Sequence, residues 1–153
     1  MKKYLLNCFL LTLPVMLWNI LLTDKLPAVY QPDVFWHNIP DWIVYGENIS
    51  RGLVFLIAFL MPLPTRKLHQ KTGFWLYLTG LALYFASWIL LIEHPDTQWS
   101  KSLWGFAAPA YTPILWLMGI ALLGERWTRY YIIISVLFVV FHCWHCWVVW
   151  GRG

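Results

Sequence analysis

Charged side chains are scarce in this chain. They make up 12% of its 153 residues, where a soluble domain carries about 25%. A surface so poor in charge does not suit water. Basic clusters are missing as well. The formal net charge is +4, but Lys and Arg form no stripe of the kind that tracks a phosphate backbone, so no nucleic-acid partner is expected. The cysteines are only Cys8, Cys143 and Cys146, too few for a disulfide framework. There is no Gly-rich phosphate loop, no G-x-S-x-G, no H-E-x-x-H and no internal repeat suggesting a transporter of paired halves. These absences leave no ready-made reaction to read.

What the chain has is apolar length. It is 60% hydrophobic, with 12 Trp, 8 Tyr and 9 Phe, and amphipathic rings anchor spans at membrane interfaces. A bilayer core of about 30 Å needs about 20 mainly apolar helical residues. Five runs meet that need: about residues 4–22, 40–63, 73–92, 105–123 and 130–150. The expected fold is an all-α polytopic membrane bundle of five transmembrane helices, a single domain over residues 1–153. Lys2 and Lys3 ahead of the first run resemble the start of a signal peptide. That run is long, carries Asn7, Pro14 and Asn19, and lacks a clear small-residue cleavage site, so it reads as a retained first helix.

The second run is the least regular. Its purely apolar part, residues 52–63, would reach about 18 Å. It crosses only if residues 47–51 enter the membrane with it. Pro40 and Asp41 suit a helix start, and Pro62 and Pro64 a stop. The alternative is a surface helix up to Arg51 followed by a short re-entrant piece. In the fourth run, Pro109 and Pro113 predict a kink or a late helix start.

Orientation follows the basic residues. Lys2 and Lys3, then Arg66, Lys67 and Lys71, then Arg126 and Arg129 all fall on one side of a five-span arrangement. Lys25, Lys101 and Arg152 share the other side with Asp24, Asp33, Asp41, Glu93 and Asp96. The N-terminus is therefore expected in the cytoplasm and the C-terminus outside, in the plasma (inner) membrane. The two longer outer connections, residues 24–39 and 93–104, are expected to lie over the mouth of the bundle.

Polar groups inside these runs point to a site, because a charged group in hydrocarbon is costly and usually faces the protein interior. In the second run Glu47, Asn48, Ser50 and Arg51 share an arc of about 160°. Glu47 and Arg51 stand four apart, the spacing and order of an intrahelical ion pair. The arc suits a polar or anionic head, with Arg51 and Asn48 as ligand-binding groups and Glu47 as acid or base. The structural alternative is a self-neutralised pair that fixes packing. Asn48-Ile49-Ser50 also matches a glycosylation sequon, an accidental match within a membrane.

In the last run His142, His145 and Cys146 fall within about 100° of one another. Tyr131, Ser135 and Val149 continue that stripe, and Phe141, Trp144 and Val148 face the other way. Two His one turn apart can share a metal, with Cys146 as a third ligand, and the donor set suits zinc or copper. A haem ligand is another use, although two His on one helix turn cannot hold opposite faces of one haem. Cys143 and Cys146 form a C-x-x-C, but late in a helix, where the dipole works against a thiolate. Hydrogen-bonded interior His is the plain alternative. Asn19, Ser87 and Tyr111 are placed to join the ligand-binding set. Cys8, Thr12 and Asn19 on the first run, and Gly80, Tyr84 and Ser87 on the third, otherwise read as packing glue between helices.

The leading expectation is a small membrane protein, enzyme or binder, that holds an amphipathic or lipid-like molecule in an outer-half pocket closed toward the cytoplasm. Glu47, His142 and His145 are its proton-transfer candidates. A metal- or haem-dependent redox protein is the second reading. A non-catalytic immunity or accessory subunit, paired with a protein partner or a second copy, is the third.

Overall fold

The computed structural model describes residues 6–64 and 70–152. The described residues are helical, apart from short connections and one isolated antiparallel bridge between Asn7 and Pro62. A short 3-10 turn, Cys8–Thr12, leads into α1 (Leu13–Leu22). A connection containing the single turn α2 (Pro32–Phe35) leads to α3 (Asp41–Leu60). Then follow α4 (Lys71–Glu93), the short turns α5 (Gln98–Lys101), α6 (Leu103–Phe106) and α7 (Ala108–Tyr111), then α8 (Pro113–Leu123) and α9 (Thr128–Trp150).

Four segments are long and apolar enough to cross a membrane: Cys8–Lys25, Asp41–Leu60, Lys71–Glu93 and Thr128–Trp150. Ala108–Leu123 is apolar but shorter. The irregular run is thus the fourth, not the second. Residues 41–60 form one continuous helix, with Pro40 before its first turn, Asp41 at its positive end, and Pro62 and Pro64 beyond its stop. The helix has no break at Arg51, where the surface-helix and re-entrant alternative places one. In the fourth run Pro109 opens α7 and Pro113 opens α8, so two prolines divide the run into separate helices.

Exposed aromatic rings mark two levels. Trp75, Trp127 and Tyr130 stand at one end of the bundle, and Trp42, Trp104 and Trp147 at the other, each more than half exposed. Along α9, the 20-residue step from Trp127 to Trp147 rises about 30 Å, the thickness of a hydrocarbon core. Between the belts the exposed faces are aliphatic and aromatic: Ile20, Leu56, Phe59, Leu83, Ile133 and Leu137. These features make the chain a multi-pass membrane protein.

The centre of the bundle is α8. Trp116, Leu117, Gly119, Ile120, Ala121 and Leu123 are all buried, as expected of a helix that is apolar all round. It packs on α4 through two glycines. A Cβ on Gly80 would lie 2.3 Å from the backbone nitrogen of Trp116, and one on Gly119 would lie 2.5 Å from that of Tyr77. Neither position tolerates a side chain, so the two backbones touch, which is how membrane helices gain dispersion energy where lipid removes the hydrophobic drive. Gly46 does the same for α3 against the Phe141 ring of α9.

One end of the bundle is sealed by backbone bonds. Cys8 N donates to Met61 O (2.9 Å), Leu63 N to Leu6 O (3.0 Å) and Glu125 N to Pro62 O (3.0 Å). At the other end the connection before α3 folds inward. Its Asn38 turns through the left-handed region (φ 52°), which Asn accepts more readily than most residues. The Arg152 guanidinium donates to the carbonyls of His37 and Asn38, and the Trp150 indole donates to Lys101 O at 2.9 Å. The tail of α9 thereby holds both connections at this end.

Candidate functional site

The site lies between α1, α3, α4, α8 and α9 at the end roofed by α2. Its core is one carboxylate shared by three side chains. Glu47 is completely buried on α3. Arg51, one turn on, donates to Glu47 Oε1. His142 Nδ1 stands 3.0 Å from the same oxygen, within ion-pair distance but outside hydrogen-bond geometry. His145 Nδ1 lies 2.6 Å from Glu47 Oε2. The other ring nitrogen of His145, Nε2, lies 2.9 Å from the carbonyl oxygen of Phe35 in α2. The expected meeting of the second and last runs is therefore found, and a third element, the roof, joins it.

Aromatic rings enclose this cluster. The His145 ring lies 4.2 Å from that of Phe35 and 4.5 Å, edge to face, from that of Trp36. His142 stacks on Phe138, with centroids 5.6 Å apart. The Arg51 guanidinium sits over Trp36 (5.8 Å) and Phe138 (5.7 Å). Each such cation–π contact contributes about 0.5–2 kcal/mol, the more where water is excluded.

Beside the cluster is a cavity of about 440 Å³, in the range of small-molecule sites. Arg51 and His142 form part of its wall, with Asn19, Cys146, Trp88 and Trp116. Tyr30, Pro32, Phe35 and Trp36 roof it. Among the described residues no Asp or Glu lines it. Ile20 lines it too and is 73% exposed, so the cavity reaches the lipid-facing side along α1. Glu47 and His145 stay behind the wall, fully buried.

Several anticipated members stand elsewhere. Asn48 is exposed and does not line the cavity. The polar arc of α3 is wider than its buried face, which runs along Ile43, Glu47, Ser50, Val54 and Ala58, and Asn48 sits at the far edge of that arc, about 100° from Glu47. Ser87 is buried, donates to the Tyr84 carbonyl of its own helix at 2.6 Å, and is not in the wall. Tyr111 is half-buried, edge to face with Trp104 at 6.5 Å, and is outside the wall. Pro109 and Pro113 line the cavity in its place. Two residues from each, Tyr111 is turned about 200° away. Asn19 does line the cavity, and its Oδ1 accepts from the Tyr84 hydroxyl at 2.7 Å.

The metal set of His142, His145 and Cys146 is not assembled. Both ring nitrogens of His145 face oxygen acceptors, and among the described residues no group of three His, Cys, Asp or Glu side chains is placed to hold a metal ion. Cys8, Cys143 and Cys146 are free thiols. The roof residues Tyr30 and Phe35 are not marked by the sequence; they and Trp36 belong to the connection, residues 24–39, expected over the bundle mouth. Tyr30 also repairs the proline break: its hydroxyl donates to Phe106 O at 2.9 Å, while Ala110 N bonds Ala107 O instead. Burial pushes the Tyr30 hydroxyl well above its ordinary value of 10.0, so it is held as the neutral donor.

Comparison with protein-family models, with curated proteins and with solved structures finds no match.

Proposed function

We propose that this chain is a five-pass protein of the plasma (inner) membrane, N-terminus in the cytoplasm and C-terminus outside, whose cavity binds an amphipathic, lipid-like small molecule. The fourth pass would be made by Ala108–Leu123, about 24 Å of helix, lengthened by the turns before it. Lys71, Arg126 and Arg129 stand at one end, and Lys25, Lys101 and Arg152 at the other beside Asp24, Asp33, Asp41, Glu93 and Asp96, so the basic excess behind the orientation comes from the remaining Lys and Arg. Lys2, Lys3, Arg66 and Lys67, on which it also rests, lie outside the described residues.

The observation that carries the reading is the composition of the cavity wall. Apolar and aromatic side chains make up most of it, Arg51 and His142 stand together on one side, and a lateral opening at Ile20 faces the acyl chains. A tail would lie against Val15, Val54 and Phe55 while a polar head meets Arg51. Glu47 and His145 serve as a positioning pair that holds Arg51 and His142 in place, because neither reaches the cavity. Binding is favoured over proton transfer for that reason.

The test is ligand retention. Protein purified in mild detergent is extracted, and its small molecules are weighed by mass spectrometry. One amphiphile should accompany the native chain, and Arg51→Ala and His142→Ala should each lose it while keeping the native helical spectrum. Unchanged retention in folded variants removes the proposal.

A further inference from the structure

We infer that the cavity selects an amphiphile with an anionic head, carboxylate or phosphate, over neutral and cationic heads. This rests on the amphiphile-binding reading above and adds the sign of the ligand's charge. Proton placement sets the charge of the cluster. A backbone carbonyl only accepts, so His145 Nε2, 2.9 Å from Phe35 O, must carry a hydrogen. The opposite nitrogen, Nδ1, lies 2.6 Å from Glu47 Oε2. Two lone pairs cannot face each other at that distance, so a proton stands between them. It makes His145 a cation beside a carboxylate, or leaves both neutral. The pair carries no net charge either way.

Glu47 therefore does not neutralise Arg51. Its one negative charge is already matched by His145, and Arg51 remains a cation in excess even with His142 neutral. Among the described residues no carboxylate lines the cavity to offset it. An unbalanced charge at this depth is costly and is relieved by a counter-charge. Arg51 is well placed to receive one: its side chain is 35% exposed, whereas that of Glu47 is not exposed at all. The neutral part of the wall agrees. The Asn19 amide oxygen is taken by Tyr84, which leaves its NH₂ as that side chain's free function. The wall offers donors and few acceptors, which suits an oxyanion.

The experiment uses the full chain in detergent and four amphiphiles of one chain length, each with a nitroxide on the tail. The heads are a carboxylate, a phosphate monoester, an alcohol and an amine. Binding is read as saturable quenching of tryptophan fluorescence. The carboxylate or the phosphate should bind about tenfold or more tighter than the alcohol, the gain expected of a charge-assisted bond, and the amine weakest. Which anion binds tighter separates a fatty-acid-like ligand from a phospholipid-like one. Arg51→Lys should keep the anion preference, and Arg51→Met should abolish it, bringing carboxylate, phosphate and alcohol to similar affinities. Equal binding of anion and alcohol to the native chain overturns the charge inference and leaves the amphiphile reading standing. Saturable quenching by none of the four overturns both.

Discussion

His145 and Glu47 are 98 positions apart in the chain and 2.6 Å apart in space. Through Phe35 O the same imidazole also reaches the roof, so one side chain joins α9, α3 and α2. His145→Ala leaves a buried carboxylate and a buried carbonyl short of a partner. It is expected to cost about 3–5 kcal/mol, the range for breaking a buried pair. Glu47→Gln, which keeps the shape, should cost less, about 1–3 kcal/mol. Thermal unfolding in detergent checks both. A His145→Ala protein as stable as the native one would show that the bond adds nothing.

The glycines divide sharply. Gly80→Val or Gly119→Val drives a side chain into the facing backbone and should lower stability by more than about 3 kcal/mol, enough to prevent accumulation in the membrane. Gly52, also within a helix, has nothing near its missing Cβ. Gly52→Ala should be neutral or raise stability by up to about 1 kcal/mol. Measured Tm values in that order support the α4–α8 contact, and a harmless Gly80→Val would contradict it.

Tyr30→Phe keeps the stacked ring against Phe106 at 4.7 Å and deletes the bond to its carbonyl. A loss of about 1 kcal/mol follows. The pH sign is fixed. Burial raises the folded-state value above 10.0, so the stabilisation is fully present below about pH 10. It is lost as pH rises further, because the unfolded chain ionises first. The native protein should therefore lose more stability than Tyr30→Phe between pH 9 and 11, as read by chemical unfolding. Parallel pH curves would argue against a buried neutral hydroxyl.

Much of this was legible from residue order. Apolar length marked the four long helices, and a 3.6-residue period placed Glu47, His145, Cys146, Tyr131 and Ser135 on buried faces. Pro109 and Pro113 marked the break in the fourth run. Other features were not. Asn48 lies within a polar arc, yet a helical wheel does not say how wide the buried face will be. The bond from His145 to Phe35 O involves a backbone atom, which leaves no trace in side-chain identity. The roof was visible only as a connection expected over the bundle mouth, and the contacts of Arg152 with His37 and Asn38 that hold it involve backbone carbonyls.

Topology yields its own outcome. In a chain whose native cysteines are replaced by Ser, a single cysteine at Gln98 should react with a membrane-impermeant maleimide on intact cells, and one at Lys71 only after permeabilisation. The reverse pattern would invert the bundle. Reaction of both on intact cells would mean that α4 does not cross.

The claim on which the account turns is that the cavity beside Arg51 is a binding site. Val54 lines it and is 2% exposed, so Val54→Trp adds bulk at its wall while Arg51, Glu47 and both histidines keep their identity. Overpacking costs about 1–3 kcal/mol, and a folded control by circular dichroism separates that loss from the effect sought. Native mass spectrometry of protein released from mild detergent should show one small molecule on the native chain and none on Val54→Trp. Equal occupancy of the two, or no bound mass on either, would contradict it.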